Sequence, residues 1–484
     1  MIRRLPPYVA TLGALALAAC PGRDGATVSR PTLDHPNIVV VDVDSLRADY
    51  LSPEACADGY APSICGRMEG GAWFTQTTSS SGWTLPALDA LLSGRHPSAA
   101  SLSVLSPDPL ATSARDGQLQ QAPQGAQGPP TLAAALALYG YDTRAFWGST
   151  TGGAAPYLSE GFETVHAFDQ APQTATQWRD AVLDWLETPP QEPFFALVHT
   201  LDAHSGLPAD GLHLPISGVD REVARKLLGR DMDEIYRELE QGSSTPEALA
   251  SLRTAYAERV RWYDAQVGWV LDELESHGLL DKTLVVITSN HGEGLSERLP
   301  GTHGPPYAET LRVPLLWLEP EARGLSHRID TPVQLMDLAP SLLDRVGATV
   351  PAELDGRSFI SQLGRPGQPY DPRPVYAASS WRSMALRDDG WAAVRTPRGE
   401  RLESEAAGLE LYRTSDDLAE LHDLAASTPD RTADMSARLD AWVATLRERA
   451  ESTPLDDDPA LAEELNKRGY GADFDVAQPP AAQP

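Results

Sequence analysis

The chain has 484 residues, 42% of them hydrophobic, and a formal net charge of −29 at pH 7. This length allows one large domain and a smaller one, and the hydrophobic content excludes a largely disordered chain. The negative charge excludes nucleic-acid binding through a basic surface, and it repels anionic substrates unless a bound cation or a local basic cluster reverses the field.

The N-terminus has the composition of an export signal. Two arginines precede an apolar run over residues 8–19, which is too short to span a bilayer. The run ends in Leu-Ala-Ala-Cys20 and resembles a bacterial lipobox, in which the signal is cleaved before a cysteine that becomes lipidated. We therefore expect residues 1–20 to be a lipoprotein signal peptide, with a plain secretory signal as the alternative. Pro21 stands where an aspartate would mark inner-membrane retention, so we expect a cell-envelope lipoprotein, attached through lipid at the outer membrane or facing the periplasm.

A tether, a strand and a small loop follow. Residues 21–35 are polar, with proline and glycine, and are expected to be a tether. Residues 36–44 begin with proline and continue as a β-branched run, which predicts a buried strand of a parallel sheet. Cys56 and Cys65 lie in a loop with glycine, proline and serine. In an exported chain we expect them to form a disulfide, because a metal site would need further thiols.

Residues 81–95 carry the first candidate for catalysis. Thr84 presents a hydroxyl, expected to be exposed, before an apolar helix that starts after Pro86 and ends at Ser93-Gly94. Such a hydroxyl lies beside backbone N–H groups and the positive end of the helix dipole, where a bound anion is favoured. This position suits a nucleophile that attacks phosphate or sulfate, although threonine is also an ordinary helix N-cap.

Strands and helices alternate through the middle of the chain, which predicts an α/β sandwich around a mostly parallel sheet. An irregular insertion is expected over residues 106–130. Helices are expected over residues 131–137, 177–186, 220–241 and 247–278, and strands over residues 140–146, 193–199, 283–289 and 313–318.

The composition changes after about residue 365. Short runs separated by turns predict a small antiparallel sheet over residues 375–378, 383–387 and 390–395, closed by a helix near residues 431–450. We therefore expect a catalytic domain over residues 36–365, a C-terminal α+β subdomain over residues 366–450, and a loosely ordered acidic and Pro/Ala-rich tail over residues 451–484.

Polar groups gather where the predicted strands end. Asp42 and Asp44 end the first strand on one face, about 6.6 Å apart by the rise of a strand. The strand that ends at His199 and the strand that ends at Ser289 are also followed by polar groups. Carboxyl ends of parallel strands meet at one edge of a sheet, where ligands bind, and carboxylates there suit a divalent cation. The candidate set comprises Asp42, Asp44, Thr84, Asp202, His204, Asn290, His291 and His303.

These segments resemble the sulfatase-like branch of the alkaline phosphatase superfamily over roughly residues 36–445. The matching motifs are Pro36-Asn37, Asp44-Ser-Leu-Arg-Ala-Asp49, Thr84-Leu-Pro-Ala-Leu88, Leu91-Leu-Ser-Gly-Arg95, Asp202-Ala-His204 and Thr288-Ser-Asn-His-Gly-Glu293, with framework motifs at residues 307–314 and 337–343. The resemblance implies an alkaline-phosphatase-like sandwich, flanked by helices, and a single divalent cation.

The same resemblance assigns roles to individual residues. The cation would be surrounded by Asp44, Thr84, Asn290 and His291, with Asp42 as an extra ligand or as a group behind the ligands. His204 and His303 would contact the oxyanion or the leaving oxygen of the substrate, and Asp202 and Arg95 would help to bind it. An oxygen-rich site suggests Ca²⁺, Mg²⁺ or Mn²⁺, while the imidazole of His291 also permits Zn²⁺.

Four departures from the family pattern affect the prediction. Sulfatases of this family oxidise a cysteine or serine nucleophile to formylglycine, which Thr84 cannot form by that route, and Leu88 replaces the arginine of the motif. Relatives with threonine at this position include phosphatases, phosphodiesterases and phosphoethanolamine transferases. Ser45 replaces a second aspartate, and Asn290 replaces an aspartate ligand and supplies no charge, so the cation should bind more weakly.

We therefore predict a metal-dependent hydrolase of phosphate or sulfate esters, with Thr84 as nucleophile and a phosphoester or phosphodiester favoured. The substrate would be a small molecule or an ester on a glycan or lipid headgroup. Two alternatives stay open: a sulfuric ester hydrolase, and a catalytically weakened surface protein that binds glycans or headgroups.

Overall fold

The computed structural model of the chain describes residues 35–98, 101–102, 120–121, 130–147, 156–167, 177–188, 190–201, 246–295, 297, 303–320, 327–364, 367–396, 408–451 and 456–457. The predictions for the signal peptide, Cys20, the tether, Asp202, His204 and the helix over residues 220–241 lie outside these residues, as do those for most of the insertion and tail. The domain boundaries stay predictions.

A nine-stranded sheet forms the centre of the described part of the chain. Its strands are β1 (Asn37–Val43), β2 (Ala72–Thr78), β3 (Asp142–Trp147), β4 (Thr164–Ala167), β5 (Phe194–Thr200), β6 (Thr283–Thr288), β7 (Arg312–Leu318), β8 (His327–Ile329) and β9 (Val333–Gln334). They lie in the order β9-β2-β7-β6-β1-β5-β3-β4, and β8 also pairs with β2. Only β7 runs antiparallel to its described neighbours, β2 and β6, which confirms the predicted mostly parallel sheet.

Helices cover both faces of this sheet. They are α1 (Pro53–Ala57), α2 (Pro62–Arg67), α3 (Thr84–Ser93), α4 (Leu132–Leu138), α5 (Gln177–Glu187), α6 (Pro246–Ser276), α7 (Ala308–Leu311) and α8 (Leu338–Arg345). Short 3₁₀ turns lie at Ala48–Tyr50, Met68–Gly70, Pro156–Ser159, Leu280–Lys282, Leu335–Asp337 and Ile360–Leu363. Successive residues of β1 point to opposite faces, so Val39 and Val41 pack in one core, with α5 and α6, while Ile38 and Val40 pack in the other, with α3, α4 and α8.

The predicted C-terminal antiparallel sheet is confirmed. Its strands are β10 (Val375–Ser380), β11 (Ser383–Asp388), β12 (Trp391–Arg395) and β13 (Leu409–Arg413), paired in that order. Helix α9 (Pro429–Glu451) packs on this sheet through a core that includes Met435, Leu439 and Trp442. A separate two-residue ladder joins Gln120–Gln121 to Asp456–Asp457.

Two contacts fix the C-terminal sheet beside residues 80–82, which directly precede α3. The N–H of Ala378 on β10 donates to the carbonyl of Ser80, and the N–H of Gly82 donates to Oγ of Ser379. The C-terminal sheet therefore contacts and supports the residues directly before Thr84.

Elsewhere, Cys56 of α1 and Cys65 of α2 form the predicted disulfide. In the described residues, no helix combines the length and hydropathy needed to cross a membrane.

Candidate active site

The turn after β1 forms one side of the site. Asp44 follows the strand directly, and Ser45 has φ of 65°, a left-handed conformation that costs a non-glycine residue free energy. The hydroxyl of Tyr256 on α6 donates to the carbonyl of Ser45 at 2.6 Å and accepts from the N–H of Arg47 at 2.9 Å. The N–H of Asp44 donates to the carbonyl of Thr200 at the end of β5. These contacts hold the carboxylate of Asp44 in place.

Thr84 is the first residue of α3, and its side chain is fully buried. The expectation of an exposed hydroxyl before the helix is therefore wrong, because the hydroxyl points to Asp44 and not to solvent. Pro86 lies inside the first helical turn, where backbone N–H groups have no partner within the helix and a proline is tolerated. The helix thus presents Thr84 from its N-terminus, as the sequence predicts.

Asp44, Thr84 and His291 form a closed triangle of polar atoms. Oγ1 of Thr84 donates to Oδ2 of Asp44 at 3.0 Å and lies 3.1 Å from Nε2 of His291. That Nε2 atom lies 3.0 Å from Oδ1 of Asp44. Nδ1 of His291 lies 2.8 Å from the carbonyl of Gly292, which can only accept, so Nδ1 carries hydrogen and Nε2 faces the triangle. Burial lowers the pKa of His291, but the carboxylate of Asp44 outweighs burial and raises that pKa above its usual value.

Asn290 lies beside this triangle with its amide turned towards the backbone. Its Oδ1 accepts from the N–H of His291 at 2.8 Å, and its backbone carbonyl accepts from the hydroxyl of Ser79. Its Nδ2 is buried and makes no hydrogen bond within the described residues. The residue occupies the predicted place, but its oxygen already has a backbone partner.

Asp42 pairs with a histidine that the sequence interpretation did not assign to the site. Asp42 on β1 lies opposite His199 on β5, and Oδ2 of Asp42 is 2.8 Å from Nδ1 of His199. Nε2 of His199 lies 3.7 Å from Oδ2 of Asp44. Burial raises the pKa of Asp42, and the contact with His199 partly offsets this rise. The signal that could have found His199 is its position at the end of a strand beside the strand of Asp42.

His303 reaches the site from the loop before α7. Its ring stacks on the ring of His291 with 4.7 Å between centroids, and it meets the ring of Trp83 edge-on at 4.7 Å. Its Nδ1 lies 3.4 Å from Oε2 of the buried Glu293. Gly304 pairs with Gly82, where a Cβ would come within 2.5 Å of the carbonyl of Gly304, so only glycine allows the loop to approach this closely.

Three further residues were predicted to belong to the site: Arg95, Asp202 and His204. Arg95 follows α3, at the opposite end of the helix from Thr84, and a helix of this length separates the two by about 15 Å. The structure therefore does not bring Arg95 to the triangle. Asp202 and His204 lie outside the described residues, directly after Leu201 at the end of β5.

The residues present fit a divalent cation. Within the described ranges, no three His, Cys, Asp or Glu side chains are gathered closely enough to hold a metal by themselves. The candidate cation ligands therefore also include the hydroxyl of Thr84, which belongs to the triangle, and the amide of Asn290, which lies beside it. Two polar atoms on the adjoining strand ends are buried without a hydrogen-bond partner among the described residues: Oδ1 of Asp42 and Nε2 of His199. Since buried polar groups are almost always satisfied, such atoms indicate a missing ligand.

Comparison with known proteins shows the family to which the chain belongs. The family model described as Sulfatase matches residues 36–348, which is more than half of the chain. The chain therefore belongs to the sulfatase family of the alkaline phosphatase superfamily. Members of this family typically bind a divalent cation.

Individual relatives differ in substrate. Delta 4,5-hexuronate-2-O-sulfatase of Bacteroides thetaiotaomicron is 28% identical over 312 residues, which cover 58% of this chain and 63% of that protein. Arylsulfatase K of Danio rerio matches over 41% of this chain and 38% of its own length. The chain thus spans between about two fifths and two thirds of the length of these curated relatives.

Solved structures share the fold at lower identity. The phosphonate monoester hydrolase of Agrobacterium radiobacter superposes with a TM-score of 0.58 at 19% identity, covering 86% of this chain and 96% of the other. A structure in complex with its substrate D-glucosamine-2-N,6-O-disulfate gives a TM-score of 0.59 at 17% identity, covering 86% and 98%. At these identities the likeness shows the alkaline-phosphatase-like fold alone.

Proposed function

We propose that the chain is a cation-dependent hydrolase of phosphoesters that uses Thr84 as its nucleophile. The observation that carries this proposal is the triangle of Thr84, Asp44 and His291, in which a buried hydroxyl at a helix N-terminus donates to a carboxylate. A bare threonine hydroxyl is a weak nucleophile, and a partner that takes its proton activates it.

Asp44, Thr84, His291 and Asn290 would hold the cation. When bound, it would lower the pKa of the Thr84 hydroxyl and neutralise charge on the oxygens of the ester. Oγ1 of Thr84 would form a bond to phosphorus while the bond to the leaving oxygen breaks. Oδ2 of Asp44 already accepts the hydroxyl hydrogen and is therefore the atom placed to take the proton.

His303 would stabilise or protonate the leaving oxygen. Oε2 of the buried Glu293 lies 3.4 Å from its Nδ1 and orients the ring, and an imidazole held in this way could act on a departing alkoxide as a hydrogen-bond donor or general acid. Water would then attack the phosphothreonine, releasing phosphate and restoring the hydroxyl. The family motif assigns the same task to His204.

The choice of phosphoester over sulfate ester rests on Thr84. The formylglycine route of family sulfatases starts from cysteine or serine, and a threonine cannot follow it. The phosphonate monoester hydrolase among the structural neighbours indicates that the fold also serves phosphorus esters, whereas the sulfated sugar in another neighbour keeps a sulfated glycan as an alternative substrate.

A second candidate function is binding without turnover. It is favoured by Asn290, whose neutral amide replaces a carboxylate and whose Oδ1 is engaged by the backbone. Such a protein would recognise a glycan or headgroup ester at the same site.

We also infer that the chain acts at the cell envelope, attached through lipid at Cys20. The lipobox-like residues at the end of the apolar N-terminal run support this location. An exported chain also suits the disulfide between Cys56 and Cys65.

The test is hydrolysis of aryl phosphate monoesters, phosphate diesters and sulfate esters by the cation-loaded full chain, compared with Thr84→Ala. We expect turnover of a phosphoester, and a loss of about four orders of magnitude or more in kcat for the variant, because its nucleophile is absent. Thr84→Ser is the matched control and should keep measurable turnover because it keeps the hydroxyl.

Circular dichroism and thermal unfolding would establish that the variants fold. Wild-type rates in Thr84→Ala would contradict the role of Thr84. A well-folded, cation-loaded wild type that hydrolyses none of these esters would favour binding without turnover.

A further inference from the structure

We infer that the ion pair of Arg387 and Glu420, in the C-terminal part of the chain, positions His303 for its action on the leaving oxygen. The two residues would touch neither the substrate nor the cation. They would act only through residues 303–311, the His303 segment. This inference rests on the proposed function, because it assumes that the leaving oxygen lies at His303.

Glu420 is a fully buried carboxylate in a turn whose leucines are exposed. Leu418 and Leu421 are 54% and 51% exposed, whereas Glu420 is 0% exposed. Glu420 also has φ of 57°, a left-handed conformation that costs a non-glycine residue free energy. A turn that exposes leucines and buries a charge is stable only if specific contacts satisfy that charge.

The contacts of Glu420 lead to the His303 segment. Its Oε1 accepts from Nη2 of Arg387 on β11 at 2.7 Å, and its Oε2 accepts from the backbone N–H of Ala308 at 2.8 Å. Ala308 is the first residue of α7, where backbone N–H groups have no partner within the helix. Nη2 of Arg387 also donates to the carbonyl of Pro306 at 3.2 Å. The ion pair therefore holds the backbone on both sides of Tyr307.

The side chain of Tyr307 attaches the same segment to the C-terminal sheet. Its ring packs in a small core with alanines of β10, β11 and β12, and its hydroxyl donates to Oε2 of the buried Glu410 at 2.9 Å. Within the segment, the hydroxyl of Thr310 donates to the carbonyl of Pro305, which closes a compact turn. A change at the ion pair should therefore displace this turn together with the histidine that precedes it.

The placement of His303 matters because a proton donor acts only within hydrogen-bond reach of the leaving oxygen. A misplacement of about 1 Å, caused by a change away from the reacting atoms, can cost about a hundredfold in rate. Nitrophenolate is a good leaving group and needs little help from an acid, whereas an alkoxide needs much. Loss of the ion pair should thus slow the hydrolysis of alkyl esters more than that of nitrophenyl esters.

The first test measures the His303 segment itself and needs no substrate. Hydrogen exchange, followed by mass spectrometry, would compare the amides of residues 304–310 in the full chain and in Glu420→Gln. We expect exchange to be about tenfold faster in the variant, because glutamine lacks the charge that holds Arg387. The double variant Arg387→Met with Glu420→Gln should show the same increase. It leaves no unpaired charge at this position, so it replaces the single variant if that one fails to fold.

The second test compares kcat/KM for nitrophenyl and alkyl phosphoesters with the cation-loaded full chain. In Glu420→Gln we expect a loss of roughly tenfold or more for the alkyl ester and of less than about threefold for the nitrophenyl ester. Glu319→Gln is the matched control. Glu319 forms a similarly buried ion pair with Arg345, 2.9 Å between Oε2 and Nη2, at the opposite edge of the large sheet from the site. This control should change neither the exchange of residues 304–310 nor the ratio of the two kcat/KM values.

Unaltered exchange in both variants would overturn the inference. An equal loss of kcat/KM for the two esters would also overturn it, since a purely structural role produces that result, and turnover that depends on Thr84 would then still support the hydrolase. A wild type that hydrolyses none of these esters would refute the hydrolase and the role at the leaving oxygen, whereas faster exchange in the variants would still show that the ion pair anchors the His303 segment.

Discussion

At the scale of single residues, the site depends on how a few buried polar atoms are paired. Asp44 is the central group, since Thr84 contacts its Oδ2 and His291 contacts its Oδ1. The sequence predicted these residues from strand-end motifs, but it could not show that Thr84 is buried. The position of His199 at the end of a strand was visible in the sequence, but its contact with Asp42 was not, because that contact depends on the alignment of β1 with β5, which spacing along the chain does not specify.

Asn290 provides the prediction at this scale. Asn290→Asp adds a negative charge beside the triangle, so we expect the affinity for divalent cations to rise by roughly tenfold or more. Isothermal titration with Mg²⁺ and Ca²⁺ measures the change. Asn290→Ala is the matched control, since it removes the amide without adding charge, and its affinity should not rise. If the aspartate leaves the affinity unaltered, residue 290 does not face the cation.

At the scale of secondary structure, strands with continuous apolar runs were predictable. The prediction for residues 283–289 corresponds to β6 (Thr283–Thr288), whose six residues are all buried, because a strand covered on both faces needs apolar residues throughout. Strand β2 was missed. Its second half is Thr-Gln-Thr-Thr, and its register shifts between Phe74 and Thr77, so it shows neither a continuous apolar run nor a regular alternation.

The junction of α3 with α9 leads to a prediction about pH. His96 follows α3 and its ring meets Trp442 of α9 edge-on, 5.1 Å between centroids. Burial lowers the pKa of His96 to about 4, aided by Arg449, Arg373 and Arg95 and opposed by Asp355. The unfolded chain, with a histidine pKa near 6.5, therefore binds more protons than the folded chain between about pH 4 and 6.5, and stability falls as pH falls.

Each unit of pKa corresponds to about 1.4 kcal/mol, so His96 should cost the folded state about 2 kcal/mol at pH 5 relative to pH 7. Urea unfolding of the wild type and of His96→Asn at both pH values isolates this contribution. We expect the wild type to lose about 2 kcal/mol more than the variant between the two conditions. Equal losses would show that His96 titrates normally in the folded chain.

At the scale of the whole molecule, the acidic character of the chain requires a local positive field at the site. A chain with a net charge of −29 repels an anionic ester, so the cation and the imidazoles must provide the local positive field. The order of the large sheet and the small C-terminal sheet was predictable from the change in composition after residue 365. The contact between the two sheets, through Ser80 and Ala378, was not predictable, because it joins residues far apart in sequence.

The most direct test of the central claim, that Thr84 is the nucleophile, is the stereochemical course at phosphorus. A substrate made chiral at phosphorus with oxygen isotopes and sulfur would be hydrolysed by the wild-type chain, and the configuration of the product determined. Attack by Thr84 followed by attack of water is two in-line displacements, each of which inverts the centre, so we expect net retention. Net inversion would mean that water attacks the ester directly and that Thr84 is not the nucleophile.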